Sequence, residues 1–555
     1  MTLDYSYKQT ATFPLLMLSL LAATAQGADA PIDAAARCTA MMSDTLHGGD
    51  FTSAKLFPDG PVPDIEGGHK APVPRHCRVN AVLTPTPDSR IAIEVWLPAE
   101  DWNGRFLGVG NGGFAGAFNR AETARAVRRG YAVATTDTGH GEVDTDEWAK
   151  GHPEKIVDFT HRAIHLTAVA GKYIATRFYG TAPHHAYFAS CSNGGRQALI
   201  EASRYPGDYD GIVAGAPAAE WVELLVASFG WNAEVLRSTP IPPAKVSAIA
   251  AAVLHQCDAG DGVADGIVQH PPDCRFDPAR IRCGAAEGDD CLTASEIQGL
   301  QRIYSGPRGA DGRSIYPGFS PGGEVGEKNR PGWESWILAN PAQPALQSLF
   351  FQSFMRDFVT GDPAWRMEHF SLERDLALAR AKLAASFNAD VADLSAYVER
   401  GGKLILYHGW SDAAIPPLAT VELFERMRAT LGSARTDGFS RLYMVPGMQH
   451  CEFGPGAWWF NPVSARSGAD PQSDMAASLV QWVEKGVAPG ALIGIRPVDP
   501  ASVREDSASL AVDRTALLCP YPQVARYQRQ GDPHAAQSWR CALETAPSIT
   551  HSNTP

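Results

Sequence analysis

The sequence predicts an α/β fold: a mainly parallel sheet flanked by helices, interrupted by a large inserted domain. Three observations predict it. Short apolar runs that read as strands alternate with helical patterns in the first and last thirds of the chain. In the middle that alternation stops, and cysteines, prolines, glycines and scattered aromatics take its place. At residues 185–202 a strand, a sharp serine–glycine turn and a helix follow one another directly.

The strand-like runs lie at 91–97, 105–110, 131–136, 186–190 and 211–214 before the break, and at 403–408 and 441–445 after it. Most end in glycine or a polar turn, as strands buried on both faces do. Helical patterns at 157–178, 194–203 and 418–430 supply the crossovers that parallel strands need. Residues 219–397 read as a lid domain inserted between two strands of one sheet, so that 26–218 and 398–555 together form the core domain. After Val487 the pattern weakens into a Pro- and Ser-rich tail tied down by Cys519 and Cys541.

A chain of 555 residues can bury a large core, and 45% hydrophobic with 20% charged residues is the composition of a folded protein. A net charge of -13 argues against nucleic-acid partners, whose phosphates need a basic footprint, and against anionic membranes. Residues 1–25 read as a signal peptide: Lys8, an apolar run over 13–23, and the small-residue cleavage sites Ala23-Thr24-Ala25 or Ala28-Asp29-Ala30. No later stretch is long and apolar enough to span a bilayer. Ten cysteines behind such a leader predict a disulfide framework in an oxidising compartment, so the expected location is secreted or periplasmic. The absence of any Cys-x-x-Cys pair weakens a zinc reading.

The chemistry starts at Cys191-Ser192-Asn193-Gly194-Gly195. A strand running into a sharp turn and then a helix is a nucleophile elbow: it lifts the Ser192 hydroxyl above the sheet and turns the next N–H groups toward the reacting oxygen. The usual pattern has glycine two residues before the serine; here it is Ser190. A serine nucleophile needs a base and the base an orienter, which in α/β hydrolases follow in the order acid, then histidine, after late strands. Asp412, in Gly409-Trp410-Ser411-Asp412, and His450, in Gly447-Met448-Gln449-His450-Cys451, stand in those places. His140, His165, His184 and His185 fall in the wrong order or in other contexts. Cys191 adjoins the nucleophile and Cys451 adjoins the base. If Ser192 and His450 touch, a Cys191–Cys451 bridge is within disulfide reach and staples the two loops.

Two further motifs carry chemistry. In Cys257-Asp258-Ala259-Gly260-Asp261-Gly262-Val263-Ala264-Asp265-Gly266-Ile267, three carboxylates recur at three- and four-residue spacings among glycines, which suits a hard cation such as Ca²⁺ or a solvated acidic turn. The glycine loop 108–116, with Asp137 ending the next strand, mimics a dinucleotide fingerprint, so a dinucleotide-dependent oxidoreductase using Gly108 to Gly113 is the rival reading. An exported, disulfide-bonded protein rarely meets free NAD. The same loop supplies the second oxyanion donor of an esterase, from Gly112 or Gly113 beside the N–H of Asn193. A catalytically silent binding protein on the same scaffold is the third reading.

On these motifs the chain resembles the tannase and feruloyl esterase family, which includes the mono(2-hydroxyethyl) terephthalate hydrolases. The resemblance covers nearly the whole mature chain. It implies an α/β-hydrolase core with a large lid, no organic cofactor, and the triad Ser192, Asp412 and His450. It implies a structural Ca²⁺ in the lid, held by Asp258, Asp261 and Asp265 and by the carbonyls of Val263 and Ile267. It implies the pairs Cys38–Cys77, Cys191–Cys451, Cys257–Cys274, Cys283–Cys291 and Cys519–Cys541. The implied partner is a small ester of an aromatic acid: feruloyl, galloyl or terephthaloyl. Lid aromatics are expected to line the acid pocket, from among Trp333, Trp336, Phe350, Phe351, Phe354, Phe358 and Trp365. Ile415, three past Asp412, is expected to face the substrate without stacking on it.

Overall fold

The computed structural model describes residues 33–62, 71–141, 146–327, 332–339, 343–504 and 510–543. The signal segment expected at 1–25 lies outside the described residues. One nine-stranded sheet organises the rest. Its strands are β1 (Gly49–Phe57), β2 (His76–Leu83), β3 (Ile91–Pro98), β4 (Arg105–Val109), β5 (Ala132–Thr136), β6 (His185–Cys191), β7 (Gly211–Gly215), β8 (Lys403–Gly409) and β9 (Ser440–Val445). They lie in the order β1-β2-β3-β5-β4-β6-β7-β8-β9. From β5 to β9 every pairing is parallel, and β1, β2 and β3 continue the sheet antiparallel.

Period-two alternation divides the core between the two faces of the sheet. Phe106, Ala132, Phe188, Ile212 and Leu404 pack on one face. Leu107, Val133, Tyr187, Val213 and Ile405, one residue along each strand, pack on the other. The first face is covered by the helices Ala163–Tyr179, Asn193–Arg204 and Pro417–Leu431. The second is covered by Arg120–Arg128 and Met475–Lys485. Every residue of β5 and β7 is buried, as in parallel strands covered on both faces.

β7 and β8 are hydrogen-bonded neighbours, with Gly211 opposite Lys403 and Gly215 opposite Tyr407. The long segment between them contributes no strand to the sheet among the described residues. It builds aromatic cores of its own around Trp221, Phe351, Phe354 and Phe358 and around Ile297, Leu300 and Trp333. Ala414 and Ile415, just past β8, belong to the first of these clusters, so the insertion packs onto the carboxyl end of the sheet.

Two features depart from the sequence expectation. β1 and β2 were not anticipated. β2 reads His-Cys-Arg-Val-Asn-Ala-Val-Leu, and its polar residues hide the strand. In the fold His76 stacks on Trp96 at 4.6 Å, and the Arg78 guanidinium lies 4.0 Å from the same ring system. The tail beyond Val487 is likewise no loose end. It forms two antiparallel hairpins, Leu492–Pro497 with Val512–Leu518 and Gln523–Tyr527 with Trp539–Leu543. The disulfides pair Cys38–Cys77, Cys191–Cys451, Cys257–Cys274, Cys283–Cys291 and Cys519–Cys541.

Candidate active site

Ser192 sits between β6 and the helix Asn193–Arg204 with φ 66° and ψ -125°. A non-glycine residue in this region is strained by about 1–3 kcal/mol and persists only where its surroundings over-determine it. They do so here. The Ser192 N–H donates to the Gly215 carbonyl at 2.9 Å, and the Ser192 carbonyl accepts from Arg196 at 3.1 Å and Ala218 at 3.2 Å. A Cβ at Gly194 would collide with the Ser190 side chain, and one at Gly195 with the Gly215 carbonyl. Ser190 therefore occupies space that Gly194 leaves open. A small side chain suffices there, and the missing glycine of the usual pattern costs the elbow nothing.

Ser192, His450 and Asp412 form one hydrogen-bonded chain. Ser192 Oγ lies 3.0 Å from His450 Nε2, and His450 Nδ1 lies 2.7 Å from Asp412 Oδ2. A carboxylate can only accept, so Nδ1 carries the proton and Nε2 is left to accept from the serine hydroxyl. Asp412 is buried, and its Oδ1 accepts from the N–H groups of Ala414 at 2.7 Å and Ile415 at 2.9 Å. Burial alone would raise its pKa. The facing His450 and the hydrogen bonds from His408 and His450 outweigh it, holding the carboxyl well below the ordinary range.

His408 is a site residue that the sequence pattern did not reveal. It ends a strand and reads as core. Its Nε2 lies 3.1 Å from Asp412 Oδ2 and 3.2 Å from the Ile415 carbonyl, and its Nδ1 lies 2.7 Å from Thr420 Oγ1. Asp412 Oδ2 is thus shared between two imidazoles.

The loops that carry Asp412 and His450 interlock. A Cβ at Gly409 would strike the Met448 carbonyl, and the Ser411 N–H donates to that same carbonyl at 3.0 Å. The Cys191–Cys451 bridge, with Cα atoms 5.9 Å apart, ties the histidine loop to the elbow. Cys451 itself has φ 66°, so the bridge holds a second strained residue in place.

The glycine loop after β4 reaches the same place, with Gly112 and Gly113 lining the cleft beside Ser192. Asn111 anchors it, donating from Nδ2 to the carbonyls of Ala117 at 2.7 Å and Thr136 at 2.8 Å. Its own N–H donates to Gln197 Oε1 at 3.0 Å, which joins the loop to the helix behind Ser192. The dinucleotide reading fails on geometry. The next helix in the chain, Arg120–Arg128, starts well past the glycines, so the strand–loop–helix unit that seats a pyrophosphate is not formed here. Asp137 is buried and accepts from the N–H groups of Ala92 and Gly139, both at 2.9 Å, so it is not offered to a ribose.

Two cavities meet at Ser192 and His450. One is an open cleft of mixed lining, with Asn119, Glu122, Arg125 and Glu452 beside Tyr407, Trp458 and Trp459. The other is a narrow apolar recess under the insertion. Of the residues expected at the acid pocket, Trp336, Phe350 and Ile415 line this recess. The other five do not line it, and Trp333, Phe351, Phe354, Phe358 and Trp365 are packed in the cores of the insertion. Most of the remaining recess wall comes from Trp221, Leu224, Leu225 and Phe229, in a segment rich in apolar residues that look the same as core.

The acidic loop curls through two left-handed glycines, Gly262 at φ 96° and Gly266 at φ 82°, next to the Cys257–Cys274 bridge. Asp258 accepts from the N–H groups of Asp265 and Gly266, Asp261 from Val263, and Asp265 from Ile267. Burial and the neighbouring Asp265 and Asp258 push Asp261 up to about 6. Arg514 lies 3.1 Å from Asp265. The loop also touches the site's scaffold, since a Cβ at Gly447 would lie 3.3 Å from Ile267. Among the described residues, a tighter group of possible ligands lies elsewhere, at His165, Glu201 and Asp208. There His165 Nδ1 is paired with Asp208 at 2.5 Å and the ring stacks on Tyr205.

Comparison with known proteins places this geometry among esterases. The family model for tannase and feruloyl esterase matches residues 77–542. An uncharacterized esterase of Xanthomonas campestris pv. campestris is 38% identical over 539 residues, covering 92% of this chain and 91% of the relative. A probable feruloyl esterase B-2 of Aspergillus flavus is 33% identical over 438 residues, covering 76% and 80%. The crystal structure of feruloyl esterase B from Aspergillus oryzae superposes with a TM-score of 0.82 at 27% identity, covering 92% of this chain and 100% of that one.

Proposed function

Because the chain belongs to the tannase and feruloyl esterase family, we propose that it is a serine carboxylic-ester hydrolase that cleaves esters of aromatic acids through an acyl-enzyme. The observation that carries this reading is the Ser192–His450–Asp412 chain at the mouth of an apolar recess. Ser192 attacks the ester carbonyl as His450 Nε2 takes its proton. Asp412 keeps the proton of the neutral ring on Nδ1 and stabilises the imidazolium that forms. The N–H of Asn193 and that of Gly112 or Gly113 hold the oxyanion, and each such donor is worth about 10²–10³ in rate. His450 then protonates the departing alcohol, and water activated by the same ring cleaves the acyl-enzyme.

Ser192→Ala should abolish hydrolysis of aryl-acid esters while the far-UV spectrum and Tm stay near those of the parent. A variant that keeps a near-normal rate overturns the assignment and favours a silent binding scaffold.

Ca²⁺ held by Asp258, Asp261, Asp265 and the carbonyls of Val263 and Ile267 belongs to the same proposal. The support is a curled loop of hard oxygen donors beside a disulfide. The ion would be structural, since no step of the reaction runs through it. Export to the periplasm or the exterior is the expected location. Five disulfides support it.

A further inference from the structure

The recess and the cleft differ in chemistry, and the difference bears on which acyl group fits. Among the described residues, and beyond Ser192 and His450, the recess wall has no carboxylate, amine, guanidinium, amide or hydroxyl side chain. Its remaining polar side-chain atoms are the indole nitrogens of Trp221 and Trp336. Trp221 is buried, and its N–H has no hydrogen-bond partner. Arg196 lies behind this wall. Its guanidinium is 5.2 Å from the Trp221 ring, and its Nε and Nη1 donate to Asn193 Oδ1, the Thr160 carbonyl and the Phe387 carbonyl. Arg196 is fully buried and does not line the recess. The charged and amide groups near Ser192 lie along the other arm, at Asn119, Glu122, Arg125 and Glu452.

Resting on the reading of Ser192 as the nucleophile, we propose that the recess takes the acyl group and selects an uncharged aromatic acid with at most one polar ring substituent. The open cleft, where the charged side chains lie, then takes the alcohol. A ring carboxylate placed in the recess would give up its hydration and find no cation there, which is the costliest kind of burial. With the Trp221 nitrogen buried, only the Trp336 indole N–H is left among these side chains, so three ring hydroxyls would leave at least two without a side-chain partner there. A single ring oxygen asks for one partner, and the Trp336 indole N–H is the side-chain donor left for it. Terephthaloyl monoesters and galloyl esters are therefore poor substrates, and benzoyl- or cinnamoyl-type esters with one ring oxygen are good ones.

The test compares ester pairs that share an alcohol, so that the cleft contributes equally to both. Purified full-length protein is assayed near neutral pH on dimethyl against monomethyl terephthalate, and on methyl 4-hydroxybenzoate against methyl gallate. The expected kcat/KM ratios are about 100-fold or more in the first pair and about tenfold or more in the second. A first ratio below about tenfold, or no preference in the second pair, overturns the proposal. The same esters are run on Ser192→Ala. Hydrolysis that survives there defeats the reading of the nucleophile. Hydrolysis that vanishes there, with flat ratios in the parent, defeats only the selectivity.

Discussion

At the scale of single residues, the site depends on how Asp412 is held. Two backbone N–H groups fix one carboxylate oxygen, and His450 and His408 share the other. His408 touches neither Ser192 nor the recess, so it is a positioning residue. Its hydrogen bond to a charged group is worth about 1.5–3 kcal/mol. His408→Leu should therefore lower kcat roughly tenfold or more while leaving KM nearly unchanged, and His408→Gln, which can still donate to Asp412, should recover part of the loss. A parallel rise in KM, or no rescue by glutamine, would show that His408 serves only packing. The spacing of Ser192, Asp412 and His450 could be read from the order of strands and turns. His408 could not, because a histidine at the end of a buried strand looks the same whether or not it faces a carboxylate.

Among elements, the functional unit is a set of loops held at the carboxyl end of the sheet by cross-links from several directions. The Cys191–Cys451 bridge joins the elbow to the histidine loop across a sequence separation of 260. Replacing both cysteines by alanine should reduce kcat/KM more than it reduces Tm, because the sheet beneath the loops is independently packed. Full activity in that double variant would mean that the bridge only stabilises. The acidic loop lies on the other side, with Ile267 close enough to Gly447 that a Cβ there would crowd it. Chelation of divalent ions should lower both Tm and kcat, and added Ca²⁺ should restore both. A protein indifferent to chelator would remove the metal from the proposal. The cysteine positions beside Ser192 and His450 were legible because adjacency in sequence implies adjacency in space once the two residues touch. The closeness of Ile267 to Gly447 was not, since nothing in either segment refers to the other.

For the whole molecule, burial of neutral histidines ties stability to pH. His140 is stacked on Trp148 at 4.1 Å, and burial holds it down to about 4 from 6.5. Burial likewise holds His161 at about 4. Between these values the unfolded chain binds protons that the folded chain refuses, so this stability is complete above about pH 6.5 and is lost as pH falls toward 4. Asp137, pushed up to about 6 by burial, works the other way, since its contribution is lost as pH rises from 3.8 to 6. Replacing His140 by Phe should make Tm fall less between pH 6.5 and 4 than it does in the parent. An equal fall would assign the acid sensitivity to other groups.

The sequence by itself determined the α/β class, the long insertion ahead of β8, and the strand-end turns that carry Ser192, Asp412 and His450. These follow from local signals: apolar periodicity, turn chemistry and the order of strand ends. Only the tertiary structure decided that β1 and β2 extend the sheet, because their polar residues are matched by partners on Phe57 and Trp96. It also decided which insertion aromatics face Ser192, separating Trp336 and Phe350 from the five packed in cores of their own. The physical reason is the same in both cases. An aromatic or apolar side chain has the same local signature in a core and on a binding wall, and only packing against distant segments separates the two.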